Sequence, residues 1–372
     1  MFNQTSPRRL LIIAGATLGG IALICVLAVL AFQYSFGAPQ KDAEEEAFIV
    51  PLNANSKQEV VQKLYDKGFV KHKWAINYTL KFEGGSDSIQ PGGYMIEKDW
   101  TAFAVAGALT DNPAMKWVTV PEGWRKEQIA ELLASTFNWE PKVKNTWVNN
   151  LTAMKYDYVE GVYFPDTYLI PADETPSQIA DRMRRRFDEQ FAPYAKEAIN
   201  QNIKWTTALK LASIVQREAG GKSDMPIIAG ILWNRLLKDM KLEVDATIQY
   251  ARDSKLAYEK DPCEDPNSAF RQNGTCYNPE LMQMTVAYTG MKDWWRPITP
   301  ADKEIGSLYN TYMYKGLPPH PIGNPGINAI DAVLHSTETE CLYYLHDNNR
   351  QIHCSKTYEE HQQNIDKYLK NQ

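Results

Sequence analysis

Glu218 is the carboxylate best placed by its neighbours to do acid–base chemistry. It closes the segment Leu211-Ala-Ser-Ile-Val-Gln-Arg-Glu218, just ahead of Gly220-Gly221. At about 100° per residue, Leu211, Ile214, Val215 and Glu218 fall within roughly a 100° arc of one helix. Ser213, Gln216 and Arg217 face the other way, toward solvent. A carboxyl group held against apolar side chains resists ionisation, so its pKa rises. A raised pKa is what a general acid needs to carry a proton near neutral pH. The glycine pair should end the helix and open its last turn to a cleft. Periodicity alone also accommodates a last-turn glutamate tipped into water.

Two further segments gather polar groups. Asp245-Ala-Thr-Ile-Gln-Tyr250 offers Asp245, Thr247 and Gln249. Tyr309-Asn310-Thr311-Tyr312 precedes a rigid Gly316-Leu-Pro-Pro-His-Pro-Ile-Gly-Asn-Pro-Gly326 turn that carries Asn324. Sugar rings ask for this mixture, with aromatic faces to stack on and amides or hydroxyls to bond their own hydroxyls. These eight residues are the candidate substrate-binding set, against the alternative of ordinary loops.

The elements that must position them belong to a chain of 372 residues, a length that suits about two domains. Hydrophobic residues at 44% and charged residues at 23% exclude whole-chain disorder. A net charge of -5 argues against a nucleic-acid binder, which would show a basic stripe. The Arg182–Arg186 cluster reads as a solvated helix face, with contact to an anionic polymer as the alternative.

Leu10–Phe32 carries no charge and exceeds the ~20 apolar residues that cross a bilayer core. Arg8 and Arg9 precede it and an acidic stretch follows, so residues 1–9 are expected in the cytoplasm and the chain beyond the 33–47 linker outside. A cleaved signal would have a shorter apolar run, of about 7–15 residues. An oxidising outside suits the cysteines. Cys263 and Cys276 share one Pro/Asn/Asp-rich loop within 252–300, and Cys341 and Cys354 flank a C-terminal β-hairpin. A two-residue Asp347-Asn348 turn would set Cys341 directly opposite Cys354, within disulfide reach. Four free thiols are the alternative.

Strand, proline and short helix recur at Pro51, Pro121 and Pro171, a pattern similar to the glycan-binding LysM module. The expected architecture is α+β: a single N-terminal transmembrane helix, a LysM-like α/β region at 48–154, and a mixed helical domain at 155–372 with the hairpin at its end.

Taken in order, the segments around Glu218, Asn234-Arg235, Asp245–Tyr250, Tyr309–Tyr312 and Gly316–Gly326 resemble the endolytic murein transglycosylases, the YceG-like family. Glu160-Gly161, Phe164-Pro-Asp-Thr-Tyr168 and Thr357-Tyr-Glu-Glu-His361 extend the resemblance over residues 48–365. It implies an inner-membrane enzyme that cleaves within nascent peptidoglycan strands, with Glu218 as its one catalytic residue. It implies no metal or organic cofactor, and peptidoglycan synthases are candidate partners. The family commonly has an acidic residue at the position of Gln216 and proline at that of Ala246. A two-carboxylate hydrolase, with Asp245 or Glu243 activating water, and a non-catalytic wall-binding scaffold remain as rivals.

Overall fold

The computed structural model describes residues 7–54, 56–83, 89–152, 159–257 and 290–370, with side chains from residue 14 onward. The fold is mixed α+β in two compact units, one of residues 1–117 with 169–173 and one of 118–168 with 174–372. The change of unit at 117/118 differs from the expected boundary at 154/155. The Arg125 guanidinium donates to the Tyr250 carbonyl and the Lys126 backbone N–H to Glu160, which ties that segment to the second unit.

In the first unit, α1 (Pro7–Phe36) contains Ala14–Phe36, long and apolar enough to cross a membrane. Then follow β1 (Glu45–Val50), α2 (Lys57–Asp66), α3 (Lys73–Phe82), β2 (Gly92–Glu97) and α4 (Ala102–Thr110). The sequence explains α2 directly. Ser56 Oγ accepts the Glu59 N–H at 3.3 Å, Val60, Val61 and Leu64 turn inward, and Gly68 at φ +76° ends the run. β1 and β2 pair antiparallel from Glu45↔Glu97 to Val50↔Gly92. β3 (Met115–Thr119) joins at Gly93↔Met115 and β4 (Thr167–Pro171) completes the order β1-β2-β3-β4. Gly92 is required there, because a Cβ would stand 2.6 Å from the Met115 carbonyl oxygen. Phe48, Leu64, Phe69, Ile76, Leu80 and Ile96 fill the core between sheet and helices, each buried side chain contributing about 1.5–3 kcal/mol.

The second unit begins with α5 (Lys126–Phe137) and α6 (Pro141–Thr146), which runs on into a wider turn at Trp147–Leu151. After β4 come α7 (Pro176–Asn200), α8 (Trp205–Glu218), α9 (Met225–Leu237) and α10 (Asp245–Ala257). α11 (Ile327–Leu334), β5 (Tyr343–His346), β6 (Ile352–Ser355) and α12 (Tyr358–Ile365) close the chain. α8 packs on α7, α9, α10 and α11. The solvent face expected for α8 is corrected at Ser213, which is buried with its Oγ accepting the Ile322 N–H at 3.0 Å, and half-buried Arg217 stacks 4.2 Å over the Trp295 ring. On α7, Arg182 pairs with Glu174, Arg184 with Asp181, and Arg186 with Asp166 and Glu189.

Residues 252–257, assigned to an insertion loop by their composition, continue α10 instead. Cys263 and Cys276 lie outside the described residues. Cys341 and Cys354 are bonded with Cα atoms 5.8 Å apart, but not as cross-strand partners. Cys354 faces Tyr344, and Cys341 precedes β5. The cause is the Asp347 side chain. Its Oδ1 accepts the N–H groups of Asn349 and Gln351 at 2.9 Å, which builds a longer turn than Asp347-Asn348 alone. In the chain-entropy account a short loop still gives about 2–3 kcal/mol. The joint Cys341→Ser, Cys354→Ser variant should therefore unfold at lower denaturant by that amount. An unchanged midpoint in denaturation followed by fluorescence would contradict a stabilising bridge.

Candidate active site

Glu218 is the last residue of α8, and the helix stops there because Ala219 turns to extended backbone at ψ 133°. Its carboxylate Oε2 accepts a 2.7 Å hydrogen bond from the Tyr344 hydroxyl on β5. The Ala246 backbone N–H, in the first turn of α10, also donates to it. Burial raises the pKa of Glu218, and the nearby charge of Asp245 adds to the rise. The Tyr344 and Ala246 donors and the His346 imidazole act the other way. The group therefore holds its proton more strongly than a free glutamate, while fixed donors stand ready for its ionised form.

Each neighbour is placed by its own element. Asp245 opens α10 and accepts the Tyr312 hydroxyl at 2.7 Å. Gly220, just past the helix end, leaves room for the contact between His346 Nε2 and Asp224 Oδ2 at 3.3 Å. A Cβ there would sit 3.1 Å from the Asp224 oxygen. Asn234 and Arg235 on α9 clamp the strand that carries Tyr344. Asn234 donates to the Thr339 and Cys341 carbonyls, and the Arg235 Nε donates to that of Leu342 at 2.6 Å. The Arg235 guanidinium also bonds Glu243 at 3.2 Å, which engages one of the two carboxylates proposed for a hydrolase.

A profile of the YceG-like family matches residues 49–367. The chain belongs to the YceG-like family. It is similar to a protein named endolytic murein transglycosylase in Bacillus subtilis, at 27% identity over 352 residues, covering 89% of this chain and 87% of the relative. The Streptococcus pneumoniae serotype 2 protein of the same name is 25% identical over 369 residues, covering 86% of this chain. This chain spans only 60% of that relative's length. A crystal structure of a yceG-like protein from Listeria monocytogenes has the same fold, with a TM-score of 0.54 at 24% identity over 86% of this chain and 98% of the other.

Of the residues expected to bind substrate in this YceG-like chain, Asp245 and Tyr312 stand beside Glu218 and are open to water at least in part. Four others are buried and bonded within the protein. Thr247 and Thr311 are buried with their hydroxyls 2.9 Å apart. Asn310 is buried and donates to the Lys303 and Ile305 carbonyls. Asn324 is buried, donating to Glu160 and the Trp124 carbonyl and accepting the Tyr163 N–H. Gln249 donates to the Arg296 carbonyl at 3.0 Å, and Tyr309 packs its ring 4.7 Å from Tyr250. Gln216 bridges Glu122 and the Gly326 N–H.

Sequence reasoning missed Tyr344. A tyrosine in a hairpin carries no signal until the register is known, and the register expected from a two-residue turn was wrong. It also gave no sign that Arg125, Lys126 and Glu127 are buried with Glu160 as one charged cluster. Arg125 donates to Glu127 at 3.1 Å and stacks 4.0 Å over Tyr250, while Glu160, raised by burial, accepts the Lys126 N–H.

Tyr344→Phe tests the balance at Glu218. The hydroxyl donates to the carboxylate and so favours the ionised form, and its loss should raise the Glu218 pKa further. If Glu218 acts as an acid, the alkaline limb of the pH profile for kcat/KM should move to higher pH. A limb that stays in place or moves down would contradict the assignment.

Proposed function

We propose that this chain is an endolytic peptidoglycan lytic transglycosylase that cuts the β-1,4 bond between N-acetylmuramic acid and N-acetylglucosamine within a glycan strand. The observation that carries the reading is a single glutamate, raised by burial at the end of α8, with hydroxyl and N–H donors already aimed at its carboxylate. The Bacillus and pneumococcal relatives, both named endolytic murein transglycosylase, support the same reaction class.

In this mechanism Glu218 gives its proton to the leaving glycosidic oxygen as the C1–O bond breaks through an oxocarbenium-like state. The carboxylate left behind is held by Tyr344 and Ala246, which lowers the cost of a buried charge. It then takes the proton of the muramic acid C6 hydroxyl as that oxygen closes on C1, giving a 1,6-anhydro end. The proton balance closes on one residue, and no water enters the product. Asp245 and Tyr312, beside the acid, are suited to bonding sugar hydroxyls.

The rest of the chain supports this role. The apolar α1 serves as a single-pass anchor in the inner membrane, with residues 1–9 in the cytoplasm and both units outside. The β1-α2-α3-β2 order of residues 45–97 supports a LysM-like glycan contact. Peptidoglycan synthases are the partners this placement would favour.

Glu218→Gln keeps the shape and the hydrogen-bond acceptor but cannot deliver a proton. Cleavage of peptidoglycan strands should fall at least ~100-fold, the low end for general acid catalysis. Products of the native enzyme should have the mass of the anhydro form. Products one water heavier would identify a hydrolase, and activity within about threefold of native would remove Glu218 from the acid role.

A further inference from the structure

α3 has two faces of different character. Ala75, Ile76, Thr79 and Leu80 are buried in the first unit. Trp74, Tyr78 and Phe82 recur every four residues on the opposite side and are 56%, 48% and 68% exposed. A spacing of four keeps three large rings on one stripe of the helix. Such a stripe facing water is costly, and contiguous exposed apolar surface marks a contact site.

The stripe does not stand alone. Phe36, at the end of α1, packs its ring 5.2 Å from Trp74 and 5.8 Å from Tyr78. Phe36 also stacks 4.8 Å from Phe32, and both approach Phe103. The rings of α3 therefore continue the apolar surface of the membrane-crossing segment without a gap. The apolar run gives way to polar residues at Gln33, and Phe36 lies about 6 Å beyond Phe32 along the helix axis at 1.5 Å per residue. That is the depth of the headgroup region, where tryptophan and tyrosine concentrate in membrane proteins. Lys81 is exposed on the same short helix, so its ammonium can meet a lipid phosphate while the rings enter the acyl boundary; the Lys73 ammonium is held instead by Gln62 at 2.6 Å.

We propose that the Trp74–Tyr78–Phe82 face of α3 lies in the outer interface of the membrane that α1 crosses. The first unit then has two points of attachment, the span and an interfacial helix. Its orientation on the bilayer is fixed by rings and does not swing on the linker after α1. This rests on the reading of α1 as an anchor.

The test uses the full chain in nanodiscs of phosphatidylethanolamine and phosphatidylglycerol. A benzophenone-bearing phenylalanine replaces Tyr78, Leu23 or Asp66 in turn, and lipid adducts are measured by mass after irradiation. Leu23 lies on the exposed surface of α1 and Asp66 at the end of α2. The expected yield at Tyr78 is within about threefold of Leu23, as for a helix seated at the acyl boundary, with none at Asp66. The same probe at Phe82, the last residue of α3, guards against a folding defect at 78. Adducts at Leu23 with none at Tyr78 and Phe82 would overturn the proposal and leave the anchor intact. So would adducts at those two positions to protein or glycan in place of lipid. No lipid adduct at Leu23 would remove the anchor and the proposal together.

Discussion

A carboxyl group at a helix end normally reaches water and ionises. In this protein Glu218 is half-buried among three stretches of chain: the end of α8, the first turn of α10 and the strand of Tyr344. Much of the second unit serves that arrangement. α8 is surrounded by helices, which fixes the position of its last residue. Asn234 and Arg235 hold the hairpin so that Tyr344 meets the carboxylate at hydrogen-bond distance. Desolvation and donors oppose each other at one group, and the opposition lets it hold a proton and still release it.

A second constraint is the buried charge cluster near Glu160. Asn324 is its linchpin. It pairs its backbone both ways with residues 123 and 124, and its side chain reaches Glu160 and the Tyr163 N–H. Gln216, on α8, bonds the Gly326 N–H in the same turn. The proline-rich segment is thus joined to α8 and to residues 122–163 by polar contacts. Breaking one of these would leave buried groups unpaired, at about 1–3 kcal/mol for each.

Local signals in the sequence suffice where a few neighbouring residues decide the outcome. Ser56 capping α2, Pro226 in the first turn of α9 and the apolar arc ending in Glu218 all follow from spacing of a few residues. Such signals do not suffice where distant chain segments decide. Thr247, Asn310, Thr311 and Asn324 have the composition of a sugar site, but each finds its partners inside the protein. Composition cannot tell a hydroxyl that faces ligand from one that satisfies a buried turn. Tyr344 escaped notice because a single side chain, Asp347, lengthens the hairpin turn and resets every pair along it.

The central claim is that Glu218 keeps its proton where ordinary glutamates, near 4.5, have lost theirs. Infrared difference spectra of native protein minus Glu218→Gln, taken across pH, isolate the carboxyl stretch of this one residue. A protonated carboxyl band that persists above pH 4.5 is the result expected. A band that vanishes at the ordinary glutamate value would contradict the account.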